Sequence, residues 1–259
     1  MYLILCHRSY NAALLWNCAG IIMWMKKLFF LAILAVNVCS GQSPDEVSSD
    51  SIRHHVKWYA SPLIKYTLAP LALVAYGIGT TGNHELIVSS NEVKVWRQKQ
   101  MPHFRTHIDD YMPSASLFLM FGLDVAGVKS RNAWYNQAAM FWMANALNGL
   151  ITKRIKHNTH VLRPDGTDKL SFPSAHTSSA FVAAEMLHQE FKEQSPWISI
   201  AGYTLASSVG ALRVMNNKHW LSDVVAGAGI GILSVRITYL VYPLVFRKIT
   251  KRPAKGLWD

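Results

Sequence analysis

AWYNQAAMFWMANALNGLIT, residues 133–152, runs for twenty positions without a single charged side chain. A helix needs about 20 mostly apolar residues to cross the hydrocarbon core of a bilayer. The run therefore predicts a membrane-crossing helix. Working outward, further apolar stretches occupy 63–80, 115–128, 174–190, 197–212 and 223–246, and each is interrupted at most by an isolated charge or proline such as Lys65, Pro70, Asp124, Glu185 or Arg236. Their length and their Ala, Leu and Gly content favour helix over strand. Trp58, Tyr59, Trp134, Tyr135, Trp197, Tyr239 and Tyr242 stand near stretch ends, as the aromatic belts of membrane interfaces do. The expected fold class is all-α: a polytopic membrane helical bundle of about six helices. Residues 81–112 are polar and read as a surface helix or loop.

Composition narrows the function. Only 16% of the 259 residues are charged, against roughly 25% in an average soluble domain. A disordered chain is charge-rich and poor in aromatics, so that class is excluded. All three cysteines, Cys6, Cys18 and Cys39, precede residue 40, which excludes a disulfide-stapled scaffold. The mean hydropathy of +0.13 lies between a soluble enzyme and a chain that is mostly membrane. The net charge of +11 suits anionic partners. Nucleic acid is not expected among them, because the cations sit beside apolar spans rather than on a polar face.

Residues 25–42, MKKLFFLAILAVNVCSGQ, resemble a secretory leader: two lysines, an apolar core, then small residues. Cleavage is expected near Ser40 or Gly41, and Met25 is a candidate start. The domain reading is a signal-like segment at 1–42, a polar linker at 43–62 and a helical domain at 63–259. The basic residues Arg247, Lys248, Lys251, Arg252 and Lys255 mark a cytoplasmic C-terminus. An exported N-terminus and a cytoplasmic C-terminus require an odd number of crossings. Six candidates are one too many, so 63–80 or 115–128 is expected not to cross.

Three segments gather unusual residues at the edges of apolar stretches. They are KHNTHVLRP with Lys156, Arg163 and Pro164; FPSAHTSSAF with Pro173, Ser174 and His176; and LRVMNNKHWLSD with Arg213, His219 and Asp223. The first two share one loop and the third lies two stretches later. If the stretches between them cross, all three face the same side. A phosphate monoester is a tetrahedral dianion, and guanidinium groups match its oxygens. Lys156, Arg163 and Arg213 offer three cations. Ser174 and the Ala175 N–H begin a helix, where free backbone N–H groups favour an anion. His219 and His176 can serve as nucleophile and proton donor. Asp223 follows His219 at i+4, so a helical turn would let it orient the ring. His103 and His107 share an i, i+4 spacing, but a polar surface segment is preferred there over a metal pair. His157, His160, His54 and His55 read as solvated.

The spacings Lys156-x6-Arg163-Pro164, Pro173-Ser174-Ala175-His176 and Arg213-x5-His219-x3-Asp223 resemble the signature of the type 2 phosphatidic acid phosphatase superfamily. The resemblance implies a metal-independent, cofactor-free phosphatase on a helical bundle. It implies His219 as the nucleophile, forming a phosphohistidine, with Asp223 orienting it and His176 as the general acid. Lys156, Arg163, Ser174, Ala175 and Arg213 would bind phosphate. Ala175 stands where the signature has glycine, and Leu212 where it has serine.

Together these features lead to an expectation of a membrane phosphatase in the bacterial inner membrane, its site facing the periplasm. The expected substrate is a phosphorylated lipid: lipid A, undecaprenyl pyrophosphate, phosphatidate or phosphatidylglycerophosphate. The leader and the P-S-A-H variant resemble those of lipid A phosphatases within the superfamily. Alternatives are a soluble periplasmic acid phosphatase and a non-catalytic protein that binds or transports anionic lipids.

Overall fold

The computed structural model describes residues 62–81 and 90–246. The leader, most of the linker, the cysteines, His54, His55, Trp58, Tyr59 and the basic tail lie outside them. Among the described residues there is no strand. The helices are α1 (Pro62–Gly79), α2 (Ser90–Gln100), α3 (Ile108–Tyr111), α4 (Ala115–Val125), α5 (Trp134–Thr159), α6 (Ala175–Phe191), α7 (Pro196–Met215) and α8 (Leu221–Phe246), with a 3-10 turn at Met112–Ser114. Each of the six apolar stretches is a helix, and α2 lies within the polar segment.

Helix α8 is the centre of the bundle and packs on α1, α5 and α6, while α6 also packs on α7. Chain direction alternates through α5, α6, α7 and α8. The C-terminal ends of α5 and α7 therefore meet the N-terminal ends of α6 and α8. A core of Met120, Met140, Ala144, Val182, Met186, Leu187, Phe191, Val235 and Tyr239 fills the bundle.

Two glycines allow α8 to lie against α6 without side chains between the backbones. A Cβ on Gly227 would stand 2.7 Å from the Ser174 carbonyl oxygen, and one on Gly231 would stand 2.3 Å from that of Ser178. Both are below any normal carbon–oxygen contact, so the helices can approach this closely only with hydrogen at those positions.

Two expectations need correction. The run 133–152 is helical, but α5 is not among the helices long and apolar enough to cross a membrane. Among the described residues those are two, Pro196–Met215 and Leu221–Leu244. The reason is that an uncharged run is not necessarily an apolar one. Asn136, Gln137, Asn145 and Asn148 lower the hydropathy of α5, and Gln137 and Asn148 are buried against the bundle. Tyr239 is likewise no belt residue: it is buried, and its hydroxyl donates to Glu190. Trp134, Tyr135 and Trp197 are exposed as expected, alongside Phe118, Trp142, Leu150 and Leu244.

Polar groups also hold the bundle interior together. Arg236 of α8 pairs with Glu185 of α6 at 3.0 Å. Glu185 also accepts from Gln189 at 2.7 Å and from the Tyr203 hydroxyl of α7. The same guanidinium donates to the Tyr66 carbonyl of α1. One buried ion pair thus joins four helices. Such groups are costly to bury unless paired and hydrogen-bonded, and here they are.

Candidate functional site

All three sequence segments meet at one end of the bundle, where α5 and α7 stop and α6 and α8 start. Each helix end is shaped by its own residues. Helix α5 closes on His160, which adopts a left-handed conformation (φ 49°) and donates its N–H to the Lys156 carbonyl. Ser174 caps α6: its Oγ accepts from the Thr177 N–H at 3.4 Å and the Thr177 hydroxyl at 2.9 Å. The Ser174 side chain is buried, and because Oγ accepts both bonds its own O–H remains free to donate. The Ser174 N–H donates to the Asp223 carbonyl at 3.0 Å, which ties the start of α6 to the start of α8.

His219 does not lie in a helix; it precedes α8 by two residues. Its ring still reaches Asp223, with Nδ1 at 3.3 Å from Oδ2. The same oxygen accepts from the Trp220 N–H at 2.9 Å and the Ser171 hydroxyl at 2.5 Å. The Trp220 bond is the reciprocal half of a capping box: a carboxylate at the third helical position satisfies the N–H before the helix. Asp223 thus starts α8 and holds His219 with one oxygen. With Nδ1 facing Asp223, Nε2 is the nitrogen left for chemistry. His219 is only 2% exposed. Burial pulls its ring down to about 4, with Asp223 opposing and Lys156 and Arg213 adding to the effect. The imidazole is consequently neutral near pH 7, the form in which Nε2 has a lone pair.

The cations converge on it. Lys156 donates to the carbonyls of Leu170 at 2.6 Å and Ser171 at 3.3 Å, which leaves one of its three N–H groups for a ligand. Arg163 is steadied by Asp168, Nε to Oδ1 at 2.8 Å. Burial and the neighbouring Arg163 pull Lys156 down to about 8, opposed by Asp223 and Asp168. The charge on Lys156 is therefore present below about pH 8 and lost above it. Binding of inorganic phosphate is expected to weaken up to about tenfold from pH 7 to pH 9, roughly 1.4 kcal/mol. Lys156→Arg, which keeps its charge, should remove that dependence in a phosphate titration.

Arg213 lies deeper than its motif suggests. Its Nη1 is 2.8 Å from Asp109 Oδ2 and 3.2 Å from Asp110 Oδ1. Its Nε is buried with no hydrogen-bond partner among the described residues. His176 lies beside it, Nε2 at 3.3 Å from Asp110 Oδ1. Asp109 and Asp110 belong to the polar segment 81–112 and were not among the expected site residues. They are brought in by contacts over a hundred positions long. Asn216 donates to Asp109 at 2.8 Å and exchanges two hydrogen bonds with the Thr106 backbone at 2.9 Å each. Arg97, on α2, donates to the Met215 carbonyl at 2.8 Å and to that of Phe104 at 3.0 Å. The available signal was an acidic doublet within a stretch otherwise rich in cations. His107 is exposed, 3.6 Å from Asp110, and residues 101–107 are not helical.

A sequence model of the PAP2 superfamily matches residues 71–247. A "Lipid A 1-phosphatase" from Porphyromonas gingivalis is 39% identical over 148 residues, which are 57% of this chain and 33% of that protein. The match therefore spans about a third of that relative's length. Among solved structures, LpxE of Aquifex aeolicus aligns over 56% of this chain and 93% of its own, at 18% identity and a TM-score of 0.42. A transmembrane PAP2-type phosphatidylglycerolphosphate phosphatase of Bacillus subtilis aligns over 70% and 98%, at 18% identity and a TM-score of 0.46.

Proposed function

The chain belongs to the PAP2 superfamily, and from that premise we propose that it is a membrane phosphatase that removes phosphate from a phosphorylated lipid. The observation that carries the proposal is the convergence at one helix-bundle end. A neutral histidine held by a carboxylate, a second histidine, and three cations meet there. Reaction would run in two steps. The Nε2 lone pair of His219 attacks phosphorus, and the bond from phosphorus to the lipid oxygen breaks. His176 gives its proton to that oxygen, which leaves as an alcohol. Water then attacks the phosphohistidine, His176 takes a proton from it, and His219 and phosphate are regenerated. Lys156, Arg163 and Arg213 stabilise the charge on the equatorial oxygens, and the Ala175 N–H at the start of α6 adds a backbone donor.

Lipid A is the first substrate to test, supported by the name of the Porphyromonas gingivalis relative. The two helices of crossing length support placement in a bilayer. With the basic tail beyond α8 in the cytoplasm, the site would face the periplasm. A phosphate-release panel of lipid A, undecaprenyl pyrophosphate, phosphatidate and phosphatidylglycerophosphate in detergent tests the reading. At least one lipid is expected to be turned over, with a chelator present or absent. No turnover of any of them would overturn the lipid assignment.

A further inference from the structure

Asp110 belongs to none of the three motifs, yet one of its oxygens touches two of their residues. Oδ1 lies 3.3 Å from His176 Nε2 and 3.2 Å from Arg213 Nη1. Its neighbour Asp109 is otherwise engaged. That side chain is buried, with one oxygen on Arg213 at 2.8 Å and the other on Asn216 at 2.8 Å. Asp110 is half-exposed, at 46% of its side chain, and is the carboxylate that reaches the proposed acid. Its second oxygen lies 3.6 Å from Nδ1 of the exposed His107.

The charges around His176 come from three elements. Burial lowers the His176 ring below the ordinary histidine range; Arg213 of α7 and Arg163 of the α5–α6 loop add to that effect, and Asp110 and Asp109 of α3 oppose it. A general acid must hold its proton until the leaving oxygen departs. Between two guanidinium groups an unpartnered imidazole would surrender it early. We propose that Asp110 is a positioning residue, which holds the His176 ring by Nε2 and opposes the loss of its proton so that Nδ1 can protonate the leaving oxygen. The proposal rests on the reading of His176 as the acid. The proton passes from Nδ1 to the oxygen as its bond to phosphorus breaks. Asp110 stays a carboxylate throughout, and the neutral ring is reprotonated by the water that opens the phosphohistidine. The site then contains two carboxylate–histidine pairs with opposite tasks. Asp223 orients a neutral ring for attack, and Asp110 favours the protonated form of the other for donation.

The test compares Asp110→Asn and Asp110→Glu with the full chain in detergent, on two esters. One is an alkyl phosphate, whose oxygen needs a proton to leave. The other is 4-nitrophenyl phosphate, whose oxygen does not. Asp110→Asn should lower kcat on the alkyl ester about a hundredfold, and on the nitrophenyl ester only a fewfold. KM should stay within about threefold, since uniform binding is not what is lost. The alkaline limb of kcat should move to lower pH by about one unit, because a ring without its carboxylate loses its proton sooner. Asp110→Glu should restore most of the rate. Equal losses on both esters, or an unmoved limb, would overturn the proposal. A readout free of turnover accompanies these: the ring-nitrogen NMR titration of His176, assigned by its disappearance in His176→Gln. It should shift to lower pH in Asp110→Asn, and an unchanged titration overturns the proposal even if neither ester is hydrolysed. Wild-type protein inert on every phosphate ester would instead count against the phosphatase reading.

Discussion

His219→Ala is expected to abolish phosphate release by at least about 10⁴-fold, the scale of losing a nucleophile that forms a covalent intermediate. Among the described residues, the ring is the only imidazole paired with a fully buried carboxylate at the converging helix ends, and its Nδ1, not its Nε2, faces that carboxylate. Alanine leaves the capping role of Asp223 intact, since the bonds to Trp220 and Ser171 do not involve the ring. The variant should therefore fold, and its thermal midpoint should stay near that of the wild type. Brief incubation with ³²P-labelled substrate and a rapid quench would trap an acid-labile phosphoprotein in the wild type and none in the variant. Retained turnover by His219→Ala would remove it as the nucleophile. The pH profile adds a constraint. A ring held down to about 4 is available as a nucleophile across the neutral range. Loss of activity on the acid side should therefore appear only as the pH approaches that value.

The second large effect is on stability. Glu185→Ala would leave Arg236 buried without its carboxylate, and would also remove the acceptor of the Tyr203 hydroxyl and of the Gln189 Nε2. Breaking a buried pair in this way costs about 3–5 kcal/mol. For a domain of this size that corresponds to roughly 10 °C in Tm. Thermal unfolding in detergent, followed by tryptophan fluorescence, would measure it. The double variant Glu185→Leu with Arg236→Met should recover much of the loss, because an apolar pair of similar volume needs no counter-charge. If the single variant melts with the wild type, the four-helix junction is not a stabilising element. Activity need not follow stability here, since the pair lies away from the converging helix ends.

The helices and the candidate site were legible in the sequence for different reasons. Apolar stretches announce helices by length and composition, and all six proved helical. The three motifs announce one site because alternating helices return their ends to the same side. What could not be read was polar and long-range. The contacts that bring Asp109 and Asp110 to Arg213 and His176 cross more than sixty positions and have no period to betray them. Glu185 and Arg236 looked like isolated interruptions, because pairing across 51 positions leaves no local trace. Ser174 also has a second task that its motif does not announce: its Oγ accepts two hydrogen bonds from Thr177 and caps α6. The uncharged run 133–152 is less apolar than its lack of charge implies, because Asn136, Gln137, Asn145 and Asn148 lie along it, with Gln137 and Asn148 buried against the bundle.

The tight seam between α6 and α8 bears on how such a protein can diversify. Gly227 and Gly231 bring the two backbones together, and the Ser174 N–H is bonded to the Asp223 carbonyl. The helix that carries His176 in its first turn and the one that follows His219 therefore cannot be shifted separately. New selectivity has to come from what lies upon this seam, the segments 90–114 and 160–172. A library confined to those segments would explore headgroup preference while leaving His176 and His219 in register. Substitutions along the seam would mostly be lost to misfolding before selectivity could be scored.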